Sequence, residues 1–264
     1  MSKFSYYIMS FQIEIDKENI HIFISTFSSI GLINNTVTLI CSPKKIYILN
    51  MDESYISVID LVIKKTFFKV YDLTVDKLKL TFNVHSFLKI LNCFFNSDEN
   101  LTLCCTEKQE ELIIQNSNKL FSLILFSEHN DELEIPKIEY PIMLELESSI
   151  LKTYIKELSI YNSGEFDIHC ENNNVSFFTN SEEGKIKIKL VEKDTFNNSI
   201  QKLKLEEHNF NLSYNLKYFE KFCKYNIDKI VKLSISSDFP MIFEYKYKDI
   251  RLRYYLSSLI KEAN

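Results

Sequence analysis

The chain has 264 residues, of which 45% are hydrophobic and 25% charged, and a formal net charge of −5. These values exclude a disordered chain and a uniformly basic nucleic-acid binder, and leave room for one large core or two small ones. A cationic surface is allowed only if the basic side chains gather on one side.

Segment 11–15 opens as a strand, and helical spacing follows over about 20–31. Segments 45–50, 57–63 and 78–82, rich in β-branched and aromatic residues, read as strands before a second helical stretch at 85–93. Strands at 110–114 and 119–126 lead into 127–140, an acidic stretch with Pro136 that reads as a linker. After it come a strand at 141–146, a helix at 148–158, a strand at 184–191, a helix at 214–225 and strands at 230–236 and 241–247. In 184–191, Lys185, Lys187 and Lys189 alternate with Ile186, Ile188 and Leu190, so one face of that strand is wet.

The four helical starts are spaced by 65, 63 and 66 residues, which points to an internal repeat. Phe82-Asn83-Val84-His85-Ser86-Phe87-Leu88-Lys89 also resembles Phe210-Asn211-Leu212-Ser213-Tyr214-Asn215-Leu216-Lys217, 128 residues on. The unit is a strand, one helix and several strands, four times over. The expected organisation is α+β with two similar domains, 1–126 and 141–264, joined by 127–140.

Basic residues recur on the helices at face-sharing spacing. His85, Lys89 and Asn92 stand at i, i+4, i+7; Lys152 and Lys156 at i, i+4; Lys217, Lys221 and Lys224 at i, i+4, i+7. The opposite faces are apolar: Phe87, Leu88 and Leu91; Leu151, Tyr154, Ile155 and Leu158; Leu216, Phe219 and Cys223. If equivalent repeats turn equivalent faces the same way, these cations form one basic surface suited to phosphates read without regard to base sequence. The helix at 20–31 carries His21 but neither Lys nor Arg.

Several motifs, in order along nearly the whole chain, resemble the proliferating cell nuclear antigen (PCNA) family of DNA sliding clamps. They are Asn50-Met51-Asp52-Glu53-Ser54-Tyr55-Ile56-Ser57-Val58; Ser86-Phe87-Leu88-Lys89-Ile90-Leu91-Asn92-Cys93; Leu133-Glu134-Ile135-Pro136; and Ser236-Ser237-Asp238-Phe239-Pro240-Met241-Ile242-Phe243-Glu244-Tyr245-Lys246, followed by Arg251-Leu252-Arg253-Tyr254-Tyr255-Leu256. The resemblance implies a DNA polymerase processivity factor: a head-to-tail homotrimer in the nucleus or at a viral replication site, its sheets outside and its helices lining a hole for duplex DNA. It implies edge-strand pairing between subunits through Phe121, Leu123 and Leu125 on one side and Ile186, Ile188 and Leu190 on the other. It also implies a hydrophobic pocket for peptides of the polymerase, clamp loader and repair enzymes. Carried over residue by residue, that pocket takes Met51, Ile56 and Val58, then Leu133, Ile135 and Pro136, then Phe239, Pro240, Tyr255 and Leu256. Three departures stand out. Ser257-Ser258 replaces the family's Ala-Pro, the first helix lacks the family's lysines, and Asn172 stands where the family has a regulatory lysine.

The residues give no sign of catalysis, metal or cofactor. Three glycines form no phosphate-cradling loop, and the histidines (His21, His85, His129, His169, His208) form no metal-binding pattern. Adjacent His169 and Cys170 on a strand point to opposite faces. The six cysteines form no CxxC pair and read as reduced buried thiols of an intracellular protein. Neither a signal peptide nor an apolar run of bilayer length is expected. Two alternatives fit the same residues: a specialised clamp-like subunit, checkpoint or viral, and an interaction scaffold that never encircles DNA.

Overall fold

The computed structural model describes residues 9–106, 110–127, 133–136, 138–161, 164–171, 174–190, 209–225 and 227–260, and the backbone of 200–205. Linker residues 128–132 and 137, together with His129, Asn172 and His208, lie outside the described residues.

The chain forms two compact units. One comprises residues 1–53, 59–134 and 247–252; the other comprises 54–58, 135–246 and 253–264. The first nine strands run β1 (Met9–Ile15), β2 (Thr36–Ser42), β3 (Lys45–Met51), β4 (Ser57–Lys64), β5 (Val70–Leu73), β6 (Leu78–Asn83), β7 (Leu101–Thr106), β8 (Glu111–Gln115) and β9 (Leu120–Ile124). Helix α1 (Lys17–Ile30) follows β1, and α2 (Val84–Asn92) follows β6. The next nine are β10 (Ile142–Glu147), β11 (Glu165–Glu171), β12 (Asn174–Asn180), β13 (Lys185–Leu190), β14 (Ile200–Leu205), β15 (Phe210–Asn215), β16 (Ile230–Ile235), β17 (Met241–Tyr247) and β18 (Ile250–Leu256). Helix α3 (Ser148–Leu158) follows β10, and α4 (Leu216–Phe222) follows β15.

The two series share one topology. Neighbours run β5-β1-β7-β8-β9 in the first and β14-β10-β16-β17-β18 in the second; β6-β2-β3-β4 in the first and β15-β11-β12-β13 in the second. Adding nine to each strand number converts one order into the other. The strand pairs whose registers follow are antiparallel, for example Phe11↔Cys105 and Ile142↔Ile235.

Each core lies under its helices. In the first unit Phe23, Phe27, Phe82 and Phe87 form one aromatic cluster, with ring centroids 4.7–6.5 Å apart. In the second, Phe219 sits edge-on to Phe166 (4.6 Å) and Phe243 (5.2 Å), while Phe222 stacks on Tyr254 at 4.2 Å. The amphipathic spacing is what buries them. Phe87 and Leu91 on α2, Leu151, Ile155 and Leu158 on α3, and Leu216 and Phe219 on α4 are all buried.

The repeat register differs from the sequence expectation. Asn83 caps α2, its Oδ1 accepting the Ser86 N–H at 2.9 Å, and Asn215 caps α4, accepting the Lys217 N–H at 3.0 Å. The equivalent asparagines are therefore Asn83 and Asn215, 132 positions apart rather than 128. The similar octet at 210–217 straddles β15 and the start of α4, so its match is coincidental. In the structural register Phe82 corresponds to Tyr214, Phe87 to Phe219 and Lys89 to Lys221.

Helix limits also differ. Helix α1 starts earlier than expected, because the Asp16 carbonyl already accepts the Asn19 N–H at 2.8 Å and Glu18 suits the positive end of the helix. Helix α4 stops at Phe222, where the Lys224 N–H turns back to the Lys221 carbonyl at 3.3 Å and the chain proceeds to bury Ile227. Lys224 thus lies in the turn after α4 and not on its third face-sharing position.

Candidate functional site

Three features bear on function: the open faces of the helix pairs, an apolar surface around residue 239, and two sheet edges. Helix α1 packs beside α2 and α3 beside α4. With their apolar sides committed to the cores, the opposite sides are left to polar groups. His85, Lys89, Lys156 and Lys217 are exposed, while Lys152 and Lys221 are half-buried. Lys152 Nζ donates to the Lys224 carbonyl at 3.2 Å, and Lys221 Nζ lies 5.3 Å from the Tyr218 ring. His85 Nε2 is 3.1 Å from Asn35 Oδ1, and Asn35 Nδ2 donates to Glu53 at 2.9 Å.

Helix α1 is not devoid of lysine, because its earlier start places exposed Lys17 at its first position. Glu157 on α3 and Glu220 on α4 are also exposed, so each lysine pair keeps one surplus positive charge. Among the described residues no three histidine, cysteine or acidic side chains cluster to hold a metal ion. No helix among them is long and apolar enough to cross a membrane. Five cysteines are buried and Cys93 is exposed. Burial pushes Cys105 up to about 11, and Cys170 and Cys223 up to about 12, so these thiols are poor nucleophiles.

Part of the expected pocket lies in the second unit. The β16–β17 turn leaves Phe239 43% exposed beside exposed Pro240. Tyr140 fixes this turn, its hydroxyl donating to the Pro240 carbonyl at 2.8 Å. Burial, with Tyr255 nearby, pushes the Tyr140 phenol up to about 12, so it remains a donor at neutral pH. The Ser257 N–H donates to the Ile56 carbonyl at 3.0 Å, which ties 54–58 to the exit of β18. Beside Ile56, Tyr55 is 80% exposed and sits at φ 59, a strained value for an aromatic residue. Arg253 is ion-paired to Glu244. Burial alone would lower its pKa, but that carboxylate holds it above the usual guanidinium value.

The expected pocket residues therefore divide. Ile56, Val58 and Ile135 are half-buried and Pro136 is exposed; Tyr255 and Leu256 are buried and serve the core. Met51 and Leu133 belong to the first unit, half-buried and exposed respectively. From the sequence, Tyr55, Tyr140 and Arg253 were not assigned to the pocket, nor Lys17 to the basic faces. The first three depend on partners or exposure set by folding; Lys17 was legible from the apolar spacing that continues through Ile20.

Strands β9 and β13 each end a sheet. Phe121 and Leu125 are half-buried and Leu123 is buried; Ile186 and Ile188 are half-buried and Leu190 is buried. The opposite face of β9 leaves Leu120 and Ile124 52% and 67% exposed, which the alternation did not single out.

The family model "Proliferating cell nuclear antigen, N-terminal domain" matches residues 13–135, and the C-terminal domain model matches 134–259. "Proliferating cell nuclear antigen 2" of Drosophila melanogaster is 24% identical over 235 residues, 86% of this chain and 89% of the fly protein. "Probable DNA polymerase sliding clamp 2" of Paramecium bursaria Chlorella virus 1 is 23% identical over 218 residues, 81% of this chain and 78% of the viral one. Among solved structures, PCNA from Entamoeba histolytica superposes with a TM-score of 0.83 at 22% identity, covering 96% of this chain and 100% of that one. Two adjoining family models, each on one of two like-built halves, leave one conclusion: the chain belongs to the proliferating cell nuclear antigen family of sliding clamps.

Proposed function

We propose that this chain is a DNA polymerase processivity factor that works without chemistry of its own. Three copies close head to tail around duplex DNA, in the nucleus or at a viral replication site. The observation that carries this reading is the doubled topology, in which each unit buries the apolar sides of two helices and leaves cations on their open sides. A ring holds its duplex by topology, so the contacts to phosphate need only be weak. Lysines on exposed helical faces supply such contacts, which exchange quickly and fall off with salt. The free edges β9 and β13 are of similar length and provide the two unlike surfaces that head-to-tail closure requires. The name of the viral relative agrees with a clamp acting with a DNA polymerase.

Light scattering is expected to give three times the 31.3 kDa chain mass at micromolar concentration. The protein should also lengthen polymerase products on primed circular DNA when a clamp loader is present. A stable monomer with no effect on product length would overturn the reading.

The apolar turn at Phe239 serves as the anchor point for partner peptides carrying aromatic and aliphatic side chains. Phe239→Ala is expected to weaken a fluorescent clamp-binding peptide about tenfold or more, at unchanged melting temperature, because the ring is already part-exposed. Identical titration curves would remove Phe239 from the binding surface.

A further inference from the structure

Away from the open helix faces, positive charge gathers where α1 begins. Two segments that carry lysines and no acid meet there, 42–49 (SPKKIYIL) and 64–71 (KKTFFKVY). The first forms the β2–β3 turn, and the second the corner from β4 to β5. The Lys65 N–H donates to the Lys44 carbonyl at 2.9 Å. The Tyr71 hydroxyl donates to the Ser42 carbonyl at 2.6 Å, and Ser42 Oγ donates to the Lys45 carbonyl at 2.9 Å. The turn backbone is thus held from within, while Lys44 and Lys65 are exposed and Lys45 is half-buried.

The neighbouring turns join this cluster to the helix. Lys69 pairs with Glu14 at 3.1 Å, Glu14 accepts from Asn100 at 2.6 Å, and Asn100 Oδ1 accepts the Lys17 N–H at 3.0 Å. Lys64 pairs with Asp249 at 3.9 Å, and the adjacent Lys248 donates to Asn19 of α1 at 3.3 Å. The lysines of these turns outnumber the nearby acids Glu14, Asp16, Glu18 and Asp249. Among the described residues, Lys44, Lys45 and Lys65 have no carboxylate partner.

We propose that these turns of the first unit are a second DNA contact, continuous with Lys17 on α1, that holds the phosphate backbone of duplex DNA beyond the stretch enclosed by the helices. This inference rests on the ring reading above and adds a surface outside the hole.

Three features support it. In a chain of net charge −5, a local excess of lysine sets the local field, whatever the sum. Lysine is a flexible point charge that suits phosphates and reads no base sequence. The turn is already ordered by its own hydrogen bonds, so binding need not freeze the backbone. The rings in these segments favour duplex over single strand, which is gripped by stacking its bases on exposed aromatics. Here Phe67, Phe68 and Tyr71 are buried, and the half-buried Tyr47 has the Lys45 ammonium 4.8 Å from its ring centre. The surface therefore offers ammonium groups and no stacking platform.

The test is anisotropy titration of the full chain against a labelled duplex of about 30 base pairs, roughly 100 Å long and longer than either helix pair can cover. A single strand with the same number of nucleotides is titrated in parallel, each from about 0.05 to 0.2 M salt. Lys44→Ala/Lys45→Ala/Lys65→Ala keeps the backbone bonds of the turn and is compared with Lys89→Glu/Lys156→Glu/Lys221→Glu. Thermal melting of each is the folding control. We expect the turn variant to bind the duplex about tenfold more weakly at low salt. It should also lose about two to three from the slope of log affinity on log salt, because each phosphate contact contributes roughly 0.9. Lys44→Arg/Lys45→Arg/Lys65→Arg should keep the wild-type slope. An unchanged duplex affinity and slope in the turn variant, with a loss in the helix variant, would overturn the second contact and leave the ring reading intact. A greater loss on the single strand than on the duplex would overturn the choice of duplex. A loss in the turn variant alone would support the contact to phosphate and overturn enclosure by the helices.

Discussion

Phe219→Ala is expected to lower the stability of the second unit by about 3–5 kcal/mol, the usual cost of emptying a buried aromatic site. The ring is fully buried and meets Phe166 at 4.6 Å, Phe243 at 5.2 Å and Tyr214 at 6.1 Å, in edge-on or tilted arrangements. Those neighbours sit on three different strands, β11, β15 and β17, so no single movement can refill the space. Against a total of roughly 5–15 kcal/mol for a typical domain, such a loss leaves the unit marginal at physiological temperature. Denaturant melts followed by circular dichroism read the effect. Phe219→Leu keeps part of the volume and should cost clearly less. A loss below about 1 kcal/mol for the alanine variant would mean that this helix contributes little to holding its sheet.

Reversing charge on the open helix faces should have the largest functional effect without harming the fold. Lys89 and Lys156 are exposed and Lys221 is half-buried, with its ammonium near the Tyr218 ring. Lys89→Glu/Lys156→Glu/Lys221→Glu is expected to cut polymerase stimulation on primed circular DNA by about 10- to 100-fold near 0.1 M salt, because each reversal turns a phosphate attraction into repulsion. The melting temperature should stay within a few degrees, since surface substitutions away from packed groups change stability little. The defect should shrink as salt rises, because screening weakens the repulsion. Undiminished stimulation at moderate salt would show that these faces do not meet the duplex.

Much of this architecture is legible locally. Apolar residues spaced three and four apart mark all four helices, because a helix that must bury one side can place them nowhere else. Alternation marks β13. The strands at 36–42, 70–73, 101–106, 165–171, 174–180 and 200–205 were not picked out from the sequence. The alternation of 101–106 breaks at Cys104-Cys105, while 165–171 does alternate, with Phe166, Ile168 and Cys170 between polar residues, and was legible on that ground. The repeat was legible as a period and not as a register. Asn83 and Asn215 look like any other asparagines until each is seen accepting the N–H of a helix's first turn.

The sequence by itself determined which side of each helix and strand is apolar, since spacing along the chain fixes which side chains share a face. It therefore determined the lysine-bearing faces of α2, α3 and α4 and the family resemblance carried by the 50–58 and 236–256 motifs. Only the tertiary structure decided where the helices end, which strands are left as edges, and which apolar side chains stay uncovered. Lys224 leaves its helix because Ile227 must reach the core. Tyr140 holds the Pro240 turn from 100 positions away. Strands β9 and β13 end their sheets because each has a strand neighbour on one side only, β8 and β12 respectively. Such outcomes depend on which distant groups fill the neighbouring space, and spacing along the chain carries no record of that.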